Sequence, residues 1–329
     1  MVKKKILFIV SKKNIDNHKK RINYDWVNDL DFQKNFEVYL WGPGSTNILT
    51  TRGLRKTVDK IKPDYIYCYC RGKLSKWLPD ISSIKVPKIM VELDTYKYDP
   101  KDSWYKQFDK LLCRQNIWED KHSLKLGIEH FEKMVERSNL VKNLKLTDNY
   151  MRSSSKKLYK KYLVSIKNSN AWEKIKLFRW SIREEDIYNG KKSRNGITFI
   201  GVKVERLYCQ RKQLSYALCD KIQFLVQWDK EKYKNILRSS SALLCPTESS
   251  FGDFIPGKLF EFAASGAAII TNCNLKSYNM KDLDEVVIKY NGLEDLREKI
   301  KMDFSPYYDK ASEVMRNHTH SIRYKEIFV

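Results

Sequence analysis

Short apolar runs alternate with longer amphipathic stretches along the first half of the chain. The runs are Ile6–Val10, Phe36–Trp41, Tyr65–Tyr69, Lys88–Leu93, Leu111–Cys113 and, after a longer interval, Ile175–Trp180. Short apolar runs bounded by polar residues indicate buried strands, and the amphipathic stretches between them indicate helices. This alternation predicts a parallel sheet covered by helices, which is a Rossmann-like unit.

A second series of the same kind begins after a polar interval. Its strand candidates are Ile197–Ile200, Ile222–Val226, Ala242–Cys245, Ala267–Thr271 and Val286–Ile288. Helices are predicted around Leu207–Cys219, Tyr233–Ser239, Pro256–Ala264 and Leu293–Met302. The sequence therefore predicts a second Rossmann-like unit with a rhythm like that of the first.

The polar interval, which contains Asn189-Gly190-Lys191-Lys192, divides the chain into predicted domains. We expect a first Rossmann-like domain at 1–183, a linker at 184–195 and a second Rossmann-like domain at 196–308. A C-terminal helix at 309–329 is expected to pack back toward the first domain. Two such domains would face each other across a cleft lined by the carboxyl ends of both sheets.

Composition narrows the class of protein. Lys and Arg number 63 against 40 Asp and Glu, which gives a net charge of +23, and 42% of the residues are apolar, which excludes a disordered chain. The first apolar run, Ile6–Val10, is too short for a signal peptide or a membrane span, so a cytoplasmic protein without a transmembrane segment is expected. Seven cysteines without C-x-x-C spacing favour a reducing compartment and no structural zinc.

The stretch from Pro256 to Gly266 carries the most chemistry. Pro256 suits the first turn of a helix and Gly266 suits the position just past its end, so a helix of about ten residues is predicted. Its amino end would form an anion site, with Gly257 allowing close approach and Lys258 adding a cation. One turn later, Glu261 could accept bonds from two ribose hydroxyls, and a nucleotide would satisfy both sites. The alternative is an ordinary amphipathic helix whose Lys258 and Glu261 face water as an i, i+3 pair.

This stretch resembles the nucleotide-binding helix of GT-B glycosyltransferases of the group 1 type. Asp253 and Glu261, separated by seven residues, resemble the paired acidic signature of that family, with Asp in place of the first Glu. Gly196–Gly201 followed by Arg206 and Arg211, and the ending Asn317–Arg323, are similar to the spore-maturation-protein-like branch. The resemblance covers residues 175–329 and implies an α/β fold of the GT-B type.

The resemblance also implies roles on the donor side. Glu261 would hold the ribose, while Lys258 and the amides that follow Ile255, from Pro256 and Gly257 onward, would hold the diphosphate. Lys203 or Arg206 would supply a further phosphate cation, and Gly201 would let its loop approach the donor. The donor is expected to be a nucleotide-sugar, with a UDP-sugar favoured. No cofactor and no metal are expected. Two Asp-x-Asp triplets, Asp29-Leu30-Asp31 and Asp282-Leu283-Asp284, are interpreted as solvated turns.

Acceptor-side candidates follow strands of the first domain. Asp94 comes directly after the strand Lys88–Leu93 and is a candidate base or acceptor-orienting group, although a helix-capping role fits equally well. Glu92 and His18 are weaker candidates for that role. Ser11 and Lys12 follow the first strand and could contact the acceptor or a donor phosphate. A retaining enzyme would need no protein base, and this alternative stays open.

The excess of basic residues predicts an anionic partner. Basic runs are spread over both predicted domains and are interleaved with aromatic residues, as in Lys156–Tyr162. The first hypothesis is a hexosyl- or pentosyltransferase, viral and acting in the host cytoplasm, that modifies hydroxymethylated bases of DNA flipped into its cleft. The second is a transferase for a cell-surface polymer or lipid-linked glycan, with peripheral membrane contact. The third is a non-catalytic nucleic-acid-binding protein on a transferase scaffold.

Overall fold

The structure of the protein is a computed structural model. It describes residues 2–13, 30–69, 74, 76–92, 103–113, 175–188, 190, 193–201, 209–227, 229–246 and 255–328. The chain forms two compact units. The first contains the described residues up to Arg179 together with the chain end from Tyr324, and the second contains those of Trp180–Arg323.

The first unit is built on a six-stranded sheet in which every pairing is parallel. Its strands are β1 Lys4–Ile9, β2 Phe36–Trp41, β3 Tyr65–Tyr69, β4 Lys88–Glu92, β5 Lys110–Cys113 and β6 Ile175–Leu177. Their order in the sheet is β2-β1-β3-β4-β5-β6. All six strands predicted from the apolar runs are confirmed, with ends that differ by up to three residues.

The helix predicted around Leu74–Ile81 is absent over residues 76–81, which form a turn followed by irregular backbone. Helices cover this sheet at the other amphipathic stretches, around His18–Phe32, Ile48–Ile61 and Ser103–Asp109. Within the described residues they are α1 Leu30–Asn35 and α2 Thr51–Ile61, with a 3-10 helix at Ser103–Gln107. Thr50 starts α2 because its side chain accepts a hydrogen bond from the Gly53 amide at 3.1 Å. The apolar side of α2 faces the core, where Leu54 and Val58 pack with Leu7 and Ile9 of β1. The predicted helical region at 118–162 lies outside the described residues.

The second unit is built on a five-stranded parallel sheet in the order β11-β10-β9-β7-β8. The strands are β7 Ile197–Ile200, β8 Ile222–Leu225, β9 Ala242–Cys245, β10 Ala268–Thr271 and β11 Ile288–Lys289. The helices of its described residues are α3 Cys209–Ala217, α4 Lys230–Ser239, α5 Gly257–Ala264, α6 Lys281–Val286, α7 Gly292–Lys299, α8 Lys310–Met315 and the start of α9 His320–Ile327, whose residues from Tyr324 onward belong to the first unit. Its central strands β7, β9 and β10 are buried along their whole length, as the centre of a doubly wound α/β unit requires.

The C-terminal segment differs from the single helix expected at 309–329. It forms α8 and α9, separated by a 3-10 turn at Arg316–His318. The helix is interrupted because the chain pairs there with Ile182, which donates to the His318 carbonyl at 3.1 Å and accepts from the His320 amide at 2.9 Å. Beyond this pairing, Tyr324 and Phe328 pack against aromatic rings of the first unit's sheet.

The described residues of the expected linker, 184–195, belong to the second unit. Glu184–Asp186 forms a 3-10 helix, and Asp186 is buried against Arg183 and Lys234, so packing fixes this part of the segment. Among the described residues, no helix is both long and apolar enough to span a bilayer.

Candidate functional site

Helix α5 begins at the carboxyl edge of the second sheet, because it follows β9 and leads into the parallel strand β10. Pro256 is its N-cap, with an extended backbone (φ −67°, ψ 137°), and Gly257 is its first helical residue. The helix therefore starts one residue later than predicted and has eight residues. Gly266 follows its end with a φ of +76°, as predicted for a glycine that terminates a helix.

Lys258 lies in the first turn of α5 and reaches over the end of β7. Its Nζ donates to the Ile200 carbonyl at 2.8 Å. Burial, and less strongly Arg211, lower the pKa of Lys258, while the nearby Glu261 charge acts in the opposite direction. A partly dehydrated ammonium group at a helix amino terminus is suited to binding an anionic oxygen.

Gly201 follows β7 directly below this ammonium group. A Cβ at this position would lie 2.9 Å from Lys258 Nζ and 2.9 Å from the ring of Phe199. The Gly201 amide donates to the Leu225 carbonyl at 2.9 Å, which fixes the start of the loop against β8. Glycine therefore leaves the space that Lys258 and Phe199 occupy, and the structure brings Gly201 and Lys258 together.

Glu261 lies one turn further along α5 and accepts a hydrogen bond on Oε2 from the hydroxyl of Tyr233. Tyr233 is buried in α4, and burial first, then the Glu261 charge, raise the pKa of this phenol well above its usual value. Tyr233 is therefore a protonated donor that fixes one carboxylate oxygen. Glu261 also lines a pocket together with Lys234 and Arg238 of α4.

Sequence reasoning missed Tyr233 as a site residue. It appears in the sequence only as an aromatic position of the amphipathic stretch Tyr233–Ser239, a pattern typical of any core-facing helix. Its partner Glu261 lies 28 residues away, so no local spacing relates the two. The tertiary packing of α4 beside α5 creates the pair.

The alternative of a water-facing i, i+3 pair does not describe these side chains. Lys258 and Glu261 are both half-buried, and each has a partner of its own on a different element. The two charges still attract each other, since Glu261 raises the pKa of Lys258 against the effect of burial. An acidic and a basic group are thus held apart on one helix face at the sheet edge.

Arg211 and Cys245 also lie near the carboxyl edge of the second sheet. The Arg211 guanidinium lies 5.8 Å from the ring centroid of Phe199, at the end of β7. Cys245 is buried at the end of β9, and burial raises the pKa of its thiol, with a further rise from Cys273. The Arg211 and Lys258 charges lower the pKa of the same thiol, which places both cations close to it.

Ser11 and Lys12 lie where the sequence places them, directly after β1 at the carboxyl edge of the first sheet. The Lys12 amide donates to the Pro43 carbonyl at 2.9 Å, which fixes this loop against the loop after β2. The Lys12 side chain is exposed and Ser11 is half-buried. Five other predicted site residues lie outside the described residues, namely His18, Asp94, Lys203, Arg206 and Asp253.

The interpretation of Asp282-Leu283-Asp284 as a solvated turn is wrong. The triplet lies in α6, where Asp282 Oδ2 is 2.8 Å from His318 Nε2 and Asp284 Oδ1 is 2.6 Å from Lys289 Nζ. Both carboxylates are thus engaged in internal pairs. The described part of the chain contains no group of three or more His, Cys, Asp or Glu side chains that could hold a metal ion.

His318 and His320 are buried, and each is hydrogen-bonded to a side chain of another segment. His318 lies between Asp282 and Arg323, and the His320 Nδ1 is 2.6 Å from the Ser181 hydroxyl. The Ser181–His320 bond joins the segment after Arg179 to the C-terminal segment. The ring of His318 also packs against α5, where it meets Phe260 edge to face with ring centroids 6.4 Å apart.

No protein-family model and no curated protein matches the sequence. Solved structures match over nearly the whole chain at low identity. An α-glucosyltransferase in complex with UDP-glucose and DNA containing an abasic site is 10% identical, with 99% of each chain covered and a TM-score of 0.55. Sucrose-phosphate synthase from Thermosynechococcus elongatus is 8% identical, with 99% of each chain covered and a TM-score of 0.51.

A glycosyltransferase involved in avilamycin A biosynthesis is also similar in structure. It is 8% identical, with 98% of this chain and 96% of its own chain covered and a TM-score of 0.50. These similar structures are GT-B glycosyltransferases. Together with the two parallel sheets, they show that the chain has an α/β fold of the GT-B type.

Proposed function

We propose that the protein is a glycosyltransferase of the spore-maturation-protein-like branch that transfers a hexosyl or pentosyl group from a nucleotide-sugar to a hydroxyl of an anionic acceptor. The observation that carries this proposal is the arrangement of Lys258 and Glu261 on α5 at the carboxyl edge of the second sheet. A cation beside a helix amino terminus and a carboxylate one turn away match the diphosphate and the ribose of one nucleotide.

The donor chemistry follows from these charges. As the glycosidic bond breaks, negative charge accumulates on the leaving nucleoside diphosphate, and fixed cations with backbone amides stabilise it. Lys258 would exchange the Ile200 carbonyl for a phosphate oxygen, and Arg211 would add a second charge at the same edge. Lys203, Arg206 and the amides after Pro256 complete the proposed phosphate site, which requires no metal. UDP-sugar is the first donor to test.

Hydroxymethylated bases of DNA are the proposed acceptor. The net charge of +23 exceeds what one diphosphate needs, and a basic surface of this size favours a polyanion. One structurally similar protein is an α-glucosyltransferase in complex with UDP-glucose and DNA. Such an enzyme would act on viral DNA in the host cytoplasm, with Ser11, Lys12 and His18 on the acceptor side and Asp94 as base or orienting group.

A panel of radiolabelled sugar nucleotides tests both halves of the proposal. Each would be incubated with the protein and with hydroxymethylated DNA, with unmodified DNA, or with vesicles that carry anionic lipid-linked glycans. Transfer of label to hydroxymethylated DNA alone is the expected result. Transfer to the vesicles would replace the acceptor by a cell-surface glycan, and DNA binding without cleavage or transfer of any donor would indicate a non-catalytic binding protein.

A further inference from the structure

Tyr233 is fixed in place by the anchoring of α4 on both sides of it. Asp229 caps the helix by accepting a hydrogen bond from a backbone amide of the first turn at 2.8 Å. Lys234, the residue after Tyr233, places its Nζ 2.6 Å from Asp186 Oδ1. Arg183 Nη2 lies 2.6 Å from the other oxygen of that buried carboxylate. A helix held in this way presents the Tyr233 hydroxyl in one direction.

The hydroxyl of Tyr233 can act toward Glu261 only as a donor. The ring is 8% exposed, and the raised pKa of the phenol keeps its proton in place over the physiological range. A bond from a neutral donor to a carboxylate oxygen is stronger than a bond between two neutral groups. Tyr233 therefore sets the direction of the Glu261 carboxylate.

Glu261 has a competing attraction on its own helix. Lys258 lies three residues earlier, at i, i+3 spacing, and its pKa already responds to the Glu261 charge. If the carboxylate turned toward this ammonium group, each charge would neutralise the other. Glu261 could then no longer accept the ribose hydroxyls, and Lys258 could no longer bind the diphosphate.

We propose that Tyr233 is a positioning residue of the donor site, whose hydroxyl holds the Glu261 carboxylate in the orientation that accepts the ribose hydroxyls and keeps it away from Lys258. The inference rests on the proposed function, since it assumes that a nucleotide binds at α5. It adds a residue of α4 to a site that sequence resemblance assigns to α5 and the neighbouring loops.

Substitution of Tyr233 by Phe removes the hydroxyl and leaves the ring. Isothermal titration calorimetry would compare the affinity for UDP with the affinity for 2′,3′-dideoxy-UDP. The same comparison would be made between GDP or ADP and the dideoxy form of each. The wild-type protein should bind one ribonucleotide about tenfold or more tightly than its dideoxy counterpart, because only the former bonds to Glu261. Tyr233→Phe should lose most of this preference and bind both forms alike.

Tyr290→Phe is the matched control. Tyr290 is also a buried tyrosine of the second unit, and it follows β11 at the edge of the sheet. Its variant should keep the full ribose preference. Because the preference is a ratio of two affinities measured on one protein, a partly unfolded sample does not change it. In turnover experiments, Tyr233→Phe should raise KM for the donor about tenfold with little change in kcat, as expected for loss of binding that is equal in the ground state and the transition state.

Two failures can be told apart. A Tyr233→Phe protein with the wild-type ribose preference would overturn the positioning role and leave the proposed function standing. A wild-type protein that binds none of these nucleotides would overturn the proposed function and the positioning role with it. In the Glu261→Ala background, Tyr233→Phe should have no further effect, and an additive loss would show that Tyr233 acts by another route.

Discussion

At the scale of single residues, the environment of Lys258 decides how a diphosphate would be held. Its ammonium group is half-buried, and burial lowers its pKa below that of an ordinary lysine. A lowered pKa means that the charge is lost at a lower pH than in a solvated lysine. The same burial strengthens the attraction for an anion while the proton is present.

Donor affinity should therefore fall as the pH rises from neutral to about pH 10, earlier than an ordinary lysine would titrate. The protonated form binds the diphosphate, so affinity is complete below the pKa of Lys258 and declines above it. Titration calorimetry with a sugar nucleotide measures this decline. Lys258→Arg should flatten it, because arginine stays charged, while ionisation of the nucleotide base is common to both proteins. Equal pH profiles would contradict a role for Lys258.

Cysteine reactivity gives a second test at this scale. Cys219 is exposed, whereas Cys68, Cys245 and Cys273 are buried, and burial raises the pKa of the Cys68 and Cys245 thiols. Iodoacetamide should modify Cys219 in the native protein and the three buried thiols only after unfolding. Peptide mass mapping would locate the label. Rapid modification of Cys245 in the native state would show that the packing around Tyr233 and Glu261 is wrong.

At the scale of elements, α5 is fixed at its carboxyl end by close contacts around Gly266. A Cβ on Gly266 would lie 2.3 Å from Asp309 Oδ1 and 2.7 Å from Arg194 Nη2, where these two side chains form an ion pair at 3.1 Å. The guanidinium of Arg194 also lies over the ring of Tyr308 at 5.0 Å. The end of α5 is thus tied to the segment that leads into α8.

Gly266→Ala should lower the free energy of unfolding by about 2 kcal/mol or more, through the positive φ and the displaced ion pair. Gly292→Ala is the matched control, because Gly292 has a φ of +82° and nothing within 4 Å of an added Cβ. It should cost about 1 kcal/mol. Urea unfolding of both variants measures the difference. Equal losses would contradict the close approach of Asp309 to Gly266.

The sequence predicts elements well where local signals define them and poorly where distant contacts do. Pro256 and Gly266 place the ends of α5 to within one residue, because a cap and a left-handed terminator are local features. The break before α9 depends on pairing with Ile182, and α6 depends on packing of its buried Leu283. Neither contact leaves a periodic pattern in a short polar stretch, so the sequence predicts neither the break before α9 nor helix α6.

At the scale of the whole molecule, the fold follows from the sequence more directly than the site does. Eleven short apolar runs predict the eleven strands of the two parallel sheets in the described residues, since the central strands of both sheets are buried on both faces. The order of the strands is not encoded in any local pattern. Within the candidate site, resemblance and spacing single out Lys258 and Glu261, whereas the contact of Tyr233 with Glu261 required the structure.

The charge of +23 belongs to this scale, because no single basic run accounts for it. If the acceptor is DNA, binding releases counterions, and affinity should fall about a thousandfold or more between about 50 and 200 mM salt. Fluorescence anisotropy with a labelled duplex measures the slope. Donor binding, which involves one diphosphate, should change far less over the same range. DNA affinity that does not respond to salt would contradict a polyanionic acceptor.

The affinity of the Glu261→Ala protein for the donor decides whether α5 carries a nucleotide-sugar site. Titration calorimetry would compare wild type and variant with the sugar nucleotide that the wild type turns over, while anisotropy follows DNA binding by both. Glu261→Ala should lower the affinity for the donor at least about tenfold and leave the affinity for DNA unchanged. Unchanged donor affinity in the folded variant would contradict a nucleotide-sugar site on α5.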